Sequence, residues 1–464
     1  MMTMKKISQF TKSVCLLWLV SIVAVLPAVA ASSLLVQADV NECSGCWVIT
    51  ATLNGGTNET YTFPGALYTV DVATDTLYGP FLEGQLGPPG GGLLDVAVTP
   101  DGSTAIVSNF GNSTVFFIDV SNPTNLHLLG SLNISFFAED IAITSDGQFA
   151  LVTDGGLASQ LASIDIATRT LVEVEDLGGT DAQAVAVAPD GTVIVVDYLN
   201  GSLHTLTLDA FGYLTPAQDY YTPQFEKDGA NITDWSVNVA VAPDDQTVLV
   251  SPAYADYLTI YQITGPGTLT YCGRVFGLPP IWDNVTKTWH GGQQSVAFSA
   301  NGTQAYVFSN GIYDPVANVT YPNQISVLDI TDPGCVSLRL SGAAFLMSNQ
   351  SGQFFGVDVL ARACHKLYVG NPTSFSAVNY LHVVDLTDFS VSSISVGPRP
   401  DAGVTGVAVL PRLFVGGDIL PVNQGELLAP VLGLIAVTIV AVAALLWKGR
   451  VTNLRLPPAS DSGR

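Results

Sequence analysis

VAVTPDGSTAIVSNFGNSTVFFID, from Val96 to Asp119, decides how the rest of the chain is read. Its opening half returns as IAITSDG at Ile141, VAVAPDG at Val185, VAVAPDD at Val239, VAFSANG at Val296, VDVLARA at Val357 and VAVLPRL at Val407, which makes seven copies. The aligned turn positions Asp101, Asp146, Asp190, Asp244, Asn301, Arg362 and Arg412 lie 44 to 61 residues apart. That spacing is near the roughly 40–50 residues of a propeller blade, and the wider gaps imply longer loops.

Within each copy an apolar run ends in Asp-Gly or a variant, and a second run such as TAIVSN or TVLVSP follows, as in a tight hairpin. A third run comes next (VFFIDV, ASIDIA, LHTLTL, LTIYQI, ISVLDI, LHVVDL), and a weaker fourth completes a four-stranded blade. Near-continuous apolar runs fit strands covered on both faces by neighbouring blades. A composition 48% hydrophobic and 12% charged, with 44 Gly and 26 Pro between short runs, fits one large all-β core with many turns.

The seventh copy has only a short run, RLFVGG, after it, and its missing strands are expected at the other end of the chain. WVITATL from Trp47 reads as a second strand, ALYTVDVA from Ala66 as a third, and Leu77 to Glu83 as a fourth. The expected fold is therefore an all-β, seven-bladed β-propeller whose last blade joins N-terminal strands to the strand near Val404 to Leu410. Such a closure covers edges otherwise open to pairing.

At the N-terminus, Lys5, Lys6 and Lys12 precede an apolar stretch from Val14 to Leu26, and Ala28-Val29-Ala30 supplies a small-residue cleavage site. Near the other end, Leu427 to Trp447 runs 21 residues without a charge, and Lys448, Arg450 and Arg455 follow. The expected organisation is a signal peptide (1–30), a propeller ectodomain (31–415), a linker (416–426), one transmembrane helix (427–447) and a cytoplasmic tail (448–464). The tail also reads as a surface-protein sorting signal, in which case the helix is removed.

Only nine of the 16 Lys and Arg lie between Ala31 and Leu420, against nearly all of the 39 acidic residues. So anionic a body makes nucleic acid and anionic lipid poor partners, and cations or cationic surfaces suitable ones. Nine Asn-X-Ser/Thr acceptors occur, at Asn58, Asn112, Asn133, Asn200, Asn231, Asn284, Asn301, Asn318 and Asn349, which points to an N-glycosylated surface protein. Most fall in loop classes that share one face of a propeller.

Removal of the signal leaves five cysteines, so an exported protein would keep one unpaired or intermolecular. Cys43-Ser-Gly-Cys46 has metal or redox spacing but stands alone and reads as a structural clip ahead of a zinc or redox site, and Cys335 with Cys364 is a second candidate bridge, across blades five and six, whose connectivity the sequence does not fix. HExxH, GxSxG, CxxCH and phosphate-binding glycine loops are all absent, which argues against an enzyme of those classes. The remaining site candidates lie where each innermost strand begins, because those positions ring the mouth of the central channel. They are Asp95, Glu139, Asp140, Gln183, Asn238 and Gln294, with His290 in the preceding loop. Asp95, Glu139 and Asp140 come from adjacent blades and could bind Ca²⁺ or another divalent cation through oxygen ligands, or form a solvated polar rim. Asp358 stands where the other copies have Ala, and reads either as a channel-facing ligand or as a local hydrogen-bond anchor.

The repeat from Val96 to Asp119 resembles the YVTN-type β-propeller repeats of prokaryotic surface-layer proteins, with IVSN where that family has its YVAN-like strand. FFIDVSNPTNLHLLGSL and VLDITDPG are similar to LVIVD-type repeats. The resemblance covers roughly Cys43 to Val415, and the copies with Arg362 and Arg412 depart from it most. It implies a cell-surface role in adhesion, envelope structure or ligand display, with an extracellular protein or polysaccharide as partner, or self-association in a surface lattice. Similar propellers also include lactonases that hold a metal at the channel mouth, which implies an extracellular hydrolase as the rival reading.

Overall fold

Seven four-stranded antiparallel sheets make up the fold, and their innermost strands pack on one another in ring order. The computed structural model describes residues 45–410 apart from 53–64, 88–91, 157, 228, 233–234, 279–280, 284–287, 291, 300, 311–312, 315–318, 321–322, 331–337, 347–359, 371–379 and 397–402. The expected signal peptide, linker, transmembrane helix and tail lie outside the described residues. Among the described residues no helix is long and apolar enough to cross a membrane.

Blade 1 shows the local logic. Leu93–Val98 turns at Asp101-Gly102 into Thr104–Asn109, then Thr114–Asp119 and His127–Asn133 follow. Asp101 caps the turn: its carboxylate accepts from the Thr99 hydroxyl at 2.6 Å and the Ser103 amide at 3.0 Å. Asp146 and Asp190 accept in the same way from the amides two residues on, so the Asp-Gly pairs are hairpin chemistry. The innermost strands of blades 2 to 6 are Ala138–Ile143, Ala182–Val187, Ser236–Val241, Gly292–Phe298 and Leu360–Ala363.

Blade 7 is composite, in the order Thr76–Phe81, Leu67–Asp71, Trp47–Thr52, Val404–Leu410. Strands from the two ends of the propeller thus pair with each other, Trp47 opposite Leu410 and Thr50 opposite Val407. Seven apolar clusters of described residues fill the seven blade-to-blade interfaces, one to each. This is why the inner strands read as continuous apolar runs. The fourth strand, as in His127–Asn133 and Leu214–Tyr221, is largely exposed.

Two details depart from the sequence reading. The sixth copy turns at Cys364-His365, with Cys364 at φ +58°, so Arg362 lies within a strand opposite Leu367 and is not a turn residue. A two-residue turn replaces the longer Asp-Gly turn there. The three wide gaps also hold more than loop: each carries a two-stranded ribbon, at Phe225–Lys227 with Ala230–Ile232, Ile281–Asp283 with Thr288–His290, and Tyr313–Asp314 with Val319–Thr320. By topology all three leave the same end of blades 3 to 5, where the innermost strands begin.

Candidate functional site

At that end of the ring the innermost strands open with an irregular register, between Leu93 and Val96, Ala138 and Ile141, Ala182 and Ala184, Ser236 and Asn238, and Gln293 and Ser295. Such bulges re-aim side chains. In blades 1, 2 and 4 one residue of this segment reaches the next blade. The Ile141 amide donates to Asp95 Oδ2 at 3.0 Å, the Val185 amide to Asp140 Oδ2 at 2.8 Å, and the Val296 amide to Asn238 Oδ1 at 3.1 Å. Asp95, Asp140 and Asn238 are thus staples between blades, buried to within 2% of full. Where blade 7 meets blade 1 the corresponding residue is Gly406, and a Cβ there would lie 2.6 Å from the Val96 amide nitrogen. The ring closes by backbone approach at that interface.

Glu139 is aimed elsewhere. Its Oε1 accepts from Gln183 Nε2 of the next blade, and Gly155 gives it room, since a Cβ on Gly155 would overlap Glu139 Oε2. Burial, then the carboxylates of Asp181 and Asp154, push the Glu139 carboxyl well above the usual range. Asp154, at the end of a second strand, accepts from the Phe137 and Gly156 amides at 3.2 and 2.9 Å, yet burial raises its pKa as well. Asp181 is raised to about 7 by burial, then by Asp197 and Asp154, and its Oδ1 is buried with no hydrogen-bond partner among the described residues. Three carboxyls that resist ionisation therefore gather between blades 2 and 3.

Asp197 behaves in the opposite way. Burial opposes its ionisation, but His204, the Thr180 and Asp181 amides and the Thr180 hydroxyl outweigh that and pull it down to about 2. His204, on the third strand of blade 3, has Nδ1 2.8 Å from Asp219 Oδ1 and Nε2 3.1 Å from Ser202 Oγ. Burial lowers its pKa, and Asp197 and Asp219 more than restore it. The Ser202, His204 and Asp219 contacts have the order of a hydrolytic triad. However, Ser202 is fully buried and its hydroxyl is turned to Asn200 Oδ1, so it meets no solvent. His382 occupies the matching place in blade 6, and burial lowers it to about 4.

Aromatic rings flank the carboxyls. Phe110 and Phe137 stack at 4.8 Å across blades 1 and 2, and Phe137 is 47% exposed. Tyr198, Trp235 and Tyr254 form two edge-on contacts at 5.6 Å across blades 3 and 4, and Trp235 is 41% exposed. All five flank inner-strand starts or second-strand ends on the face that carries the ribbons. Lys227 ties the first ribbon to Asp256 at 3.2 Å.

The sequence-derived candidates thus divide. Glu139 and Gln183 meet; Asp95, Asp140 and Asn238 lock blades. His290 pairs by its backbone with Ile281, Gln294 lies in the blade 5 inner strand, and neither side chain is described; Asp358 lies outside the described residues. Asp95 and Asp140 each commit a carboxylate oxygen to a backbone amide, and among the described residues no three His, Cys, Asp or Glu side chains converge as a metal centre. Asp154 and Asp197 were missed, although both occupy the second-strand end where other repeats have Asn109 and Asn310. Their alignment was the available signal; the flanking aromatics carried none.

Among the glycan acceptors, Asn133, Asn231 and Asn301 are exposed, Asn112 and Asn200 are half-buried, and Asn58, Asn284, Asn318 and Asn349 lie outside the described residues. Cys43 and Cys335 also lie outside them. Cys364 Sγ stands 3.3 Å from Cys46 Sγ. Cys272, the residue left over in the sequence reading, is disulfide-bonded.

No family model matches the sequence, and no curated protein matches it. Solved structures do resemble it. A functionally unknown protein from Desulfotomaculum acetoxidans superposes with a TM-score of 0.58 at 15% identity, over 79% of this chain and 99% of its own. The periplasmic gluconolactonase of Pseudomonas aeruginosa gives 0.55 at 15% identity, over 77% and 99%. A Bacteroides fragilis protein provisionally named a 6-phosphogluconolactonase gives 0.55 at 12% identity, over 80% and 99%. At these identities the likeness is one of fold.

Proposed function

We propose that this chain is a cell-surface β-propeller of the YVTN-repeat type, exported, N-glycosylated and held by one C-terminal membrane helix. It binds an extracellular protein or polysaccharide without catalysis, in adhesion or envelope assembly. One observation carries the reading: exposed aromatic planes, Phe137 on one side and Trp235 on the other, flank a carboxyl-rich centre on the ribbon-bearing face. Rings that are apolar on the face and set beside polar groups suit sugar and protein surfaces. The disulfide at Cys272, the acidic body and the exposed acceptors Asn133, Asn231 and Asn301 support an extracellular setting.

The test is binding of the full chain, in membranes, to a panel of purified envelope polysaccharides and to cells. Trp235→Ala should weaken whatever binding is found by about tenfold, as loss of an aromatic anchor does. Unchanged binding in that variant would remove this face from consideration.

A second reading, hydrolysis of a lactone, is favoured by Asp181, whose carboxyl at about 7 is suited to proton transfer near neutral pH. The lactonase names among the fold neighbours support it equally. Elemental analysis of the purified protein, followed by a gluconolactone assay, separates the two. Turnover abolished by Asp181→Asn would establish the hydrolase, and no turnover with or without added divalent metal would retire it.

A further inference from the structure

We propose that Cys46 and Cys364 form a disulfide that fastens the N-terminal strands of the composite blade to blade 6. Cys46 stands directly before Trp47–Thr52, the strand that pairs with Val404–Leu410, and Cys364 sits in the two-residue turn of blade 6. The sulfurs lie 3.3 Å apart although 318 positions separate them in sequence. Both thiols are half-buried and pack on the apolar cluster shared by blades 6 and 7.

The approach is held from several sides. The Val72 amide donates to the Cys46 carbonyl at 3.1 Å. Lys366, two residues after Cys364, reaches Asp75 Oδ2 at 2.7 Å and the Val72 carbonyl at 3.1 Å, while the Tyr368 hydroxyl donates to Asp75 Oδ1 at 2.9 Å. Three contacts across the seam and one within blade 7 fix both backbones, so a bond between the sulfurs needs only a short closing movement.

The chemistry is thiol–disulfide exchange with an external disulfide, small-molecule or protein, as the oxidant. One thiolate attacks the oxidant's sulfur and expels a thiol; the second thiolate attacks the mixed disulfide, forms the Cys46–Cys364 bond and expels the other. Two protons and two electrons leave the chain, and the oxidant departs as two thiols. The existing disulfide at Cys272 shows that the fold accommodates oxidised cysteine. A link between positions so distant removes much freedom from the unfolded chain, by an amount that grows with the logarithm of the closed loop.

The test is a non-reducing peptide map of the full chain expressed through an export pathway. A peptide joining Cys46 to Cys364 is expected, and in oxidised protein neither residue should take up an alkylating reagent. Recovery of a Cys43–Cys46 or Cys335–Cys364 peptide, or alkylation of both residues, overturns the proposal. As a second measurement, Cys46→Ser, Cys364→Ser and the double variant should melt alike, roughly 5–10 °C below the oxidised wild type. A double variant that melts with the wild type also overturns it. The map is read on wild-type protein and stands even where a variant fails to fold.

Discussion

Glu139 is a carboxyl whose surroundings were built for its protonated form. The folded state holds its proton through the pH range in which an unfolded glutamate, with a pKa of about 4.3, has lost it. A raised carboxyl therefore contributes stability that is complete below the unfolded value and is lost as pH climbs through the folded one. Asp181 adds a loss of the same sign that ends near pH 7. Glu139→Gln keeps the shape and removes the charge. It should leave the melting temperature unchanged at pH 4 and raise it by roughly 2 °C at pH 8. A variant that melts lower than wild type at pH 8 would show that the ionised side chain is needed. His204 and His382 teach the same lesson at matching strand positions: two partnering carboxylates favour the charged ring in one, and burial without them keeps the other neutral.

The inner strand is the element that converts sequence repetition into a ring. Its apolar residues pack within and between blades, while in blades 1, 2 and 4 the residue before the repeat's first valine or isoleucine, Asp95, Asp140 or Asn238, spans to the next blade. Asp140→Ala would leave the buried Val185 amide without its acceptor, at a cost of about 1–3 kcal/mol. Hydrogen exchange at Val185 should accelerate accordingly, with that at Ile141, held by Asp95, much less affected; equal exchange in variant and wild type would refute the staple. At this scale much was legible. Asp-Gly turns, third strands and the composite last blade all follow from local pattern and turn chemistry. The staples were not, because Asp95 and the Ile141 amide are 46 positions apart and nothing in either segment names the other. Ribbons hidden in the wide gaps escaped for a simpler reason: strands of two or three residues carry no periodicity.

For the molecule as a whole, stability rests on seven similar interfaces, and the one completed by the N-terminal strands has no substitute. Deleting Gly45 to Phe81 would strip three strands from blade 7 and uncover the apolar clusters on either side of it. The expected product is aggregated in light scattering; a monomer with the wild-type melting temperature would mean that the ring closes without that blade. This composite blade also sets a clock. Thr50 donates to the Gly406 carbonyl, 356 positions later, so the first strand waits on the order of tens of seconds during synthesis before its partner emerges. An interrupted chain never obtains that partner and keeps an open strand edge for quality-control proteases to find. Completion of the ring thus reports that translation has run to the end of the propeller.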